Sequence, residues 1–234
     1  MGERLDKFLA SQGLGTRKEV GKLIRSGAVL VNGAPQRDPG AKVEPGADQV
    51  TAQGEEIRYQ EFLTIMLNKP AGVLSATEDR RQKTVLDLLP EGLRRRGLFP
   101  AGRLDKDTTG LLLITDDGEL AHKMLSPKSH VYKQYRAQLD APVEEADIQA
   151  FAAGVAWEGE QYAPARLWVE QDPRAAFVEI REGRFHQVKR MFQARGKTVL
   201  QLKRLKIGGL WLDSTLQEGE CRLLTPQEIQ VIFH

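Results

Sequence analysis

Apolar residues along the chain divide it into a short helical head and a longer body of strands. In RLDKFLASQ (residues 4–12), Leu5, Phe8 and Leu9 recur at helical spacing. In TRKEVGKLIRSG (16–27), Val20, Leu23 and Ile24 share one face, with Thr16 at the N-cap and Gly27 where a helix stops. AVLVNGAPQ then carries an apolar run into the turn signal Asn32-Gly33, and KVEPGADQV places another at Pro45-Gly46. Two helices and small strands are therefore expected in a compact unit over residues 1–60. A linker near 58–63 leads to a second unit over 61–234.

The second unit opens with FLTIMLNKPAGVLSAT, a strand-like run stopped by Lys69-Pro70-Ala71-Gly72. A short helix is expected over Thr84–Leu89, then a polar connection, Pro90–Pro100, containing Arg94, Arg95 and Arg96. LLLIT (111–115) reads as a buried strand, Asp116-Asp117-Gly118 as a turn or helix cap, and ELAHKML as a helix. KQYRAQL (133–139) alternates as a strand, Val143–Gly154 is an amphipathic helix, and ARLWVEQ and AAFVEIRE are strands joined at Asp172-Pro173. FHQVKRMFQARG gives a helix with Val188, Met191 and Phe192 inward; short strands fill 198–224, and Gln227–Phe233 closes as a helix. The expected class is α+β: a small helical head, then a large, mainly antiparallel mixed sheet flanked by helices.

Composition narrows the field. With 41% hydrophobic and 28% charged residues in 234, and no apolar run of membrane-spanning length, the chain reads as globular and not membranous. The N-terminus MGERLDKFLASQG lacks a signal-peptide pattern, which predicts a cytoplasmic address. A single cysteine, Cys221, without zinc-ligand spacing around it, argues against disulfide and structural zinc. Net charge is only +2, yet residues 181–206 hold nine cations (Arg181, Arg184, Lys189, Arg190, Arg195, Lys197, Lys203, Arg204 and Lys206) against the lone acid Glu182. The two head helices add Arg4, Lys7, Arg17, Lys18, Lys22 and Arg25 against Asp6 and Glu19. Such clusters suit nucleic-acid phosphates, although a solvated helix face looks the same.

The candidate chemistry lies in GRLDKDTTGLLLITDDGE (102–119). Asp105 and Asp107 admit three readings: a turn whose carboxylates bond backbone N–H groups, a divalent-metal site completed by Asp116 and Asp117, or a nucleophilic or acid–base carboxylate beside a cation. Spacing does not choose among them.

RLDKFLA, TRKEVGKLIRSGAVLVNG and PGADQV resemble the S4 RNA-binding domain over residues 2–60. LNKPAGV, AGRLDKDTTGLLLITDDGELAHKMLSP, YKQY (132–135) and EGRFHQVKRMF (182–192) resemble the pseudouridine synthases, specifically the ribosomal small-subunit branch. The resemblance implies Asp105 as the catalytic aspartate, Tyr135 as the active-site tyrosine packed on uracil, and Lys189 as its basic partner. Arg103 would fill the gap left in the RNA, and Lys69, Pro70 and Gly72 would be structural. Asp107, with Thr108 to Gly110, is expected to hold the Asp105 loop, and Arg184, His186 and Arg190 to touch RNA. The implied reaction needs no metal or cofactor, and the implied partner is ribosomal RNA, free or in an assembling small subunit, with the protein a monomer. Phe185-His186-Gln187 favours 16S over 23S RNA as substrate. An RNA-binding assembly factor and a metal nuclease are the other classes these residues allow.

Overall fold

The computed structural model describes residues 2–57, 59, 61–95 and 97–234. Arg58 and Gln60 of the expected linker and Arg96 of the arginine run lie outside the described residues. The chain divides into two compact units, residues 1–63 with 89–98, and 64–88 with 99–234. The polar connection around Arg94 and Arg95 therefore belongs with the first unit. There Arg95 donates to the carbonyls of Ser11 (3.3 Å) and Glu61 (2.8 Å).

In the first unit, α1 (Leu5–Ser11) and α2 (Arg17–Ser26) pack on a four-stranded sheet. Its strands are β1 (Val29–Val31), β2 (Ala34–Pro35), β3 (Val50–Ala52) and β4 (Glu55–Ile57), in spatial order β2-β1-β3-β4. Thr16 and Glu19 form a capping box at the start of α2, and Gly27 ends it at φ 84. Leu5, Phe8, Leu9, Val20, Ile24, Val29 and Val50 make one core. Burying each such side chain contributes about 1.5–3 kcal/mol.

The second unit is built on a nine-stranded sheet. Its main strands are β5 (Thr64–Lys69), β6 (Thr109–Thr115), β7 (Lys133–Leu139), β8 (Arg166–Val169), β9 (Ala175–Ile180), β10 (Val199–Ile207), β11 (Leu210–Trp211) and β12 (Cys221–Leu223). They lie in the order β8-β9-β7-β10-β6-β5-β12, with β11 on β10 and the pair Phe99–Pro100 on β6. Every pairing is antiparallel except β10 with β6, which is parallel through Lys203↔Thr109 and Arg204↔Gly110. All six residues of β5 and six of the seven in β6 are buried, because both faces of these central strands are covered. Continuous apolar runs, not alternation, are the sequence mark of that position.

On one face, α3 (Gly118–Leu125) and α6 (Pro226–Val231) cover Met66, Leu111, Leu113 and Ile207 with Ala121, Met124 and Ile229. Away from them, α4 (Glu145–Ala153) and α5 (Gln187–Gln193) meet through Phe151 and Phe192, ring centroids 4.9 Å apart. Helix α5 begins two residues later than its apolar pattern suggests, since His186 takes a left-handed conformation at φ 52. The expected helix over Thr84–Leu89 is a short 3-10 turn, Val85–Leu88. Among the described residues no helix is long and apolar enough to cross a membrane.

Candidate active site

The loop between Gly102 and Thr108 forms one wall of a cavity of about 830 Å³ in the second unit. Its floor is the face of β9, β7 and β10 that presents Ile180, Lys133, Tyr135, Leu202 and Arg204. The third side is the turn leading into α5, with Arg184, His186, Gln187 and Val188. Period-2 alternation puts Lys133 and Tyr135 on the same strand face, and the register sets Arg204 opposite Tyr135.

The Asp105 loop has little regular structure, and its carbonyls are held from outside. Lys69, at the end of β5 and with no exposure, donates from Nζ to the carbonyls of Asp105 (3.1 Å), Lys106 (3.3 Å), Thr108 (2.9 Å) and Pro70 (3.0 Å). The Gly72 N–H donates to Lys106 (2.8 Å), and the Ser75 hydroxyl donates to the Leu104 carbonyl (2.8 Å). Burial pulls the Lys69 ammonium down to about 8, against the opposing pull of the Asp107 and Asp105 charges. Gly110, where the loop enters β6, has φ 96, and a Cβ there would overlap the Arg204 carbonyl oxygen. Lys69, Gly72 and Gly110 thus act on the backbone, each by a different means.

Asp105 is half-buried at the cavity edge between two groups. Its Oδ2 lies 3.5 Å from Lys189 Nζ and its Oδ1 3.5 Å from His186 Nε2. The short contact of Lys189 is to Asp107 Oδ1, at 2.6 Å. Lys189 is therefore shared between the two carboxylates, where the sequence suggested a simple pair with Asp105. Its hydrogen bond is the main cause that holds the Asp107 carboxyl below the usual range. Asp107 is mostly exposed and aims Lys189; the hold on the loop comes chiefly from Lys69.

Tyr135 is buried at 7% exposure, its hydroxyl 3.4 Å from Arg204 Nη1. Arg103 is exposed and lines the cavity beside Asp105. Arg184 and Arg190 are engaged within the unit: both approach Glu160 (3.0 and 3.6 Å), and both touch Tyr162, Arg184 over its ring and Arg190 at its hydroxyl. Phe185, stacked on His186 with centroids 3.8 Å apart, stands exposed.

In the first unit the six cations are all exposed, and they divide into two sets. Arg4 and Arg17 both bind Asp6, and the Arg4 hydrogen bond leads in drawing that carboxyl down to about 2. Lys7 pairs with Glu3 at 2.7 Å. Lys18, Lys22 and Arg25 form no ion pair among the described residues and project from α2.

Asp116 and Asp117 stand at the far end of β6 from Asp105. Seven strand residues at about 3.3 Å each separate the two groups by roughly 20 Å, so they share no site. Asp117 instead caps α3, accepting from Leu120 N–H at 2.9 Å. Among the described residues no cluster of three or more His, Cys, Asp or Glu could hold a metal ion.

Three residues of the site escaped the sequence reading: Ser75, Lys133 and Arg204. The two cations could have been found from alternation, since each occupies an inward position of a strand. Arg204 belongs to the basic run between 181 and 206, but it is buried; Lys197 of the same run is buried against Asp147 at 2.8 Å.

Residues 63–194 match the RNA pseudouridylate synthase family and residues 3–48 match the S4 domain. An uncharacterized RNA pseudouridine synthase, YtzG, of Bacillus subtilis is 46% identical over 233 residues, spanning 98% of each chain. Ribosomal small subunit pseudouridine synthase A of Escherichia coli is 43% identical over 229 residues, 97% of this chain and 98% of that protein. A crystal structure of a pseudouridylate synthase superposes with a TM-score of 0.67 at 40% identity, covering 98% of this chain and 99% of the other. With an S4 domain at its head and the synthase match over more than half its length, the chain belongs to the RNA pseudouridylate synthase family.

Proposed function

We propose that this synthase isomerises one uridine of small-subunit 16S ribosomal RNA to pseudouridine, with Asp105 as the nucleophile. The observation that carries the reading is the placement of Asp105 at the edge of a cavity floored by Tyr135, with Lys189 and His186 each 3.5 Å from its carboxylate. The relatives named for the ribosomal small subunit support the choice of RNA.

The base must leave its helix to reach the cavity, at a cost of a few kcal/mol. Stacking on the Tyr135 ring returns about 1–3 kcal/mol of that. Arg103, exposed at the mouth, occupies the space the base vacates. Asp105, with Lys189 beside it, attacks C1′ of the ribose or C6 of the uracil. The glycosidic bond breaks, the uracil turns, C5 bonds to C1′ and the bond to Asp105 breaks; Tyr135 or a water near it takes the C5 proton, and N1 gains one. Lys18, Lys22 and Arg25 grip RNA phosphates through the S4 domain. The protein acts as a monomer in the cytoplasm, which light scattering and fractionation test directly.

The deciding experiment incubates the protein with 16S transcript, 23S transcript and partly assembled small subunits, then maps pseudouridine at nucleotide resolution. One new pseudouridine in 16S RNA, absent with Asp105→Asn while RNA binding persists, is expected. Modification of 23S RNA alone overturns the substrate, and turnover by Asp105→Asn near the wild-type rate overturns the nucleophile.

A further inference from the structure

Lys133 and Arg204 are two buried cations that face the cavity with no acid to balance them. Lys133 is 7% exposed and Arg204 5%. Arg204 donates from Nε to the Leu111 carbonyl at 2.7 Å and lies 3.4 Å from the Tyr135 hydroxyl through Nη1, while its Nη2 has no hydrogen-bond partner among the described residues. Lys133 forms no ion pair among the described residues, and the charge acting on it is that of Arg204, which repels it. The carboxylates that line the cavity are engaged elsewhere: Asp105 with Lys189 and His186, and Glu182 with the Ala163 N–H and the Gln187 side chain. Burying an ion without a partner costs several kcal/mol. Two like charges side by side cost more, and a ligand bearing negative charge removes that penalty.

We propose that Lys133 and Arg204 are catalytic residues that stabilise the negative charge formed on uracil when its bond to the ribose breaks. This rests on the function proposed above and assigns the opposite half of the reaction to that of Asp105. When N1–C1′ cleaves, its electron pair leaves with uracil, and the anion spreads over N1, O2 and O4. After the ring turns, the C5 carbon supplies the electron pair for the new bond to C1′, the proton on C5 is lost to the base, and N1 is protonated. Atoms and charge balance with no oxidant, reductant or added group. Donors fixed in a dry pocket act most strongly where charge develops. Burial and the neighbouring Arg204 lower Lys133 only to about 8, so it remains largely charged at neutral pH. Both cations lie on the strand face that carries the ring on which the uracil would stack, whereas the exposed Arg103 stands at the rim.

The test uses the full protein under single turnover with a short rRNA fragment carrying either uridine or 5-fluorouridine at the target position. Nucleosides are separated after digestion, and RNA affinity is measured in parallel. Fluorine withdraws electrons and makes the uracil a better leaving group, so it lessens the need for the cations. Lys133→Met should slow uridine conversion by about 10²–10³-fold, the loss seen when one such donor is removed, with RNA affinity near wild type. C5 of 5-fluorouridine has no proton to lose, so on both substrates the rate is read as disappearance of the starting nucleoside; the Lys133→Met defect on 5-fluorouridine should be at least about tenfold smaller, and Lys133→Arg should recover much of the rate. Lys133→Met removes an unbalanced buried charge and is expected to fold; Arg204→Lys, which disturbs the Leu111 bond, is the second variant.

Equal losses on both substrates, or a loss carried by weaker RNA binding as a phosphate-holding role requires, would overturn the proposal. If the wild type converts the fragment and the variants show such equal losses, only this inference falls. If the wild type leaves the fragment unchanged, the proposed function falls and takes the inference with it.

Discussion

The ammonium of Lys69 lies 3.1 Å from the backbone carbonyl of Asp105, 36 residues further along the chain. The same nitrogen reaches the carbonyls of Pro70, Lys106 and Thr108, so one buried charge organises the whole turn beneath the carboxylate. Hydrogen bonds to a charged group contribute about 1.5–3 kcal/mol each in favourable cases, and the carbonyls left behind would be unsatisfied. Lys69→Met is therefore expected to destabilise the second unit by about 3–5 kcal/mol. Catalytic rate should fall further than RNA affinity. Urea unfolding and single-turnover rates check both; a variant with wild-type stability would show that the turn holds itself.

Lys189 divides its charge unequally between Asp107 and Asp105. Lys189→Met should lower the single-turnover rate by about 10²-fold, because the nucleophile loses its cation. Asp107→Asn keeps the cation but releases its anchor, and a loss of about tenfold or less is expected. A larger loss for Asp107→Asn than for Lys189→Met would reverse the roles given to the two residues.

The two buried lysines make stability and activity respond to alkali in opposite directions. Lys69 and Lys133 each titrate at about 8 in the folded chain, against 10.5 for an ordinary lysine. Between those values the unfolded chain holds more protons than the folded one, so their contribution to stability rises with pH across the window and is least favourable below about 8. Turnover runs the other way, since a neutral Lys133 no longer stabilises the departing uracil. Arg204 from β10 is the charged group set against it on the cavity floor, and Tyr135 is its neighbour on β7. Conversion should decline as pH passes about 8, and Lys133→Arg should move that decline upward. Over the same range the wild type should gain stability relative to Lys133→Met. A conversion rate that is level well beyond that pH would remove the Lys133 charge from the reaction.

The exposed cations of α2 that have no ion pair among the described residues, Lys18, Lys22 and Arg25, are the phosphate contacts proposed for the first unit. Replacing all three by Gln should weaken binding to structured rRNA at low salt and reduce the slope of log affinity against log salt by about 1 per lost contact. Thermal unfolding should be little changed. An unaltered slope would send the RNA grip elsewhere.

How much of this was legible in the sequence depended on whether a residue's role was local. The β7 strand could be read from the alternation in KQYRAQL, and the buried β6 from LLLIT, because hydrophobic period reports the face a residue occupies. Asp105 stood out through its motif. Lys69 stood out as structural through its motif too, but what it holds did not, since a lysine at the end of an apolar run looks solvated until the carbonyls it binds are brought around it. Arg204 was hidden in a basic run for the same reason: charge counting adds buried and exposed cations alike. The delayed start of α5 at Gln187 rests on a left-handed histidine, which carries none of the signal a glycine would give. The attachment of Leu89–Leu98 to the first unit is a tertiary fact without a local mark.

The parallel pairing between β6 and β10 ties Leu111 to Arg204 across 93 residues of chain. Contacts of such separation form late, after their loop-closure entropy has been met by other structure. The floor of the cavity therefore closes near the end of folding, while the helical head depends on neighbours close in sequence. Pulsed hydrogen exchange during refolding should find the first unit protected before the β6–β10 pair, and simultaneous protection would contradict that order. During synthesis, a chain of this family able to hold RNA would precede the chain able to change it.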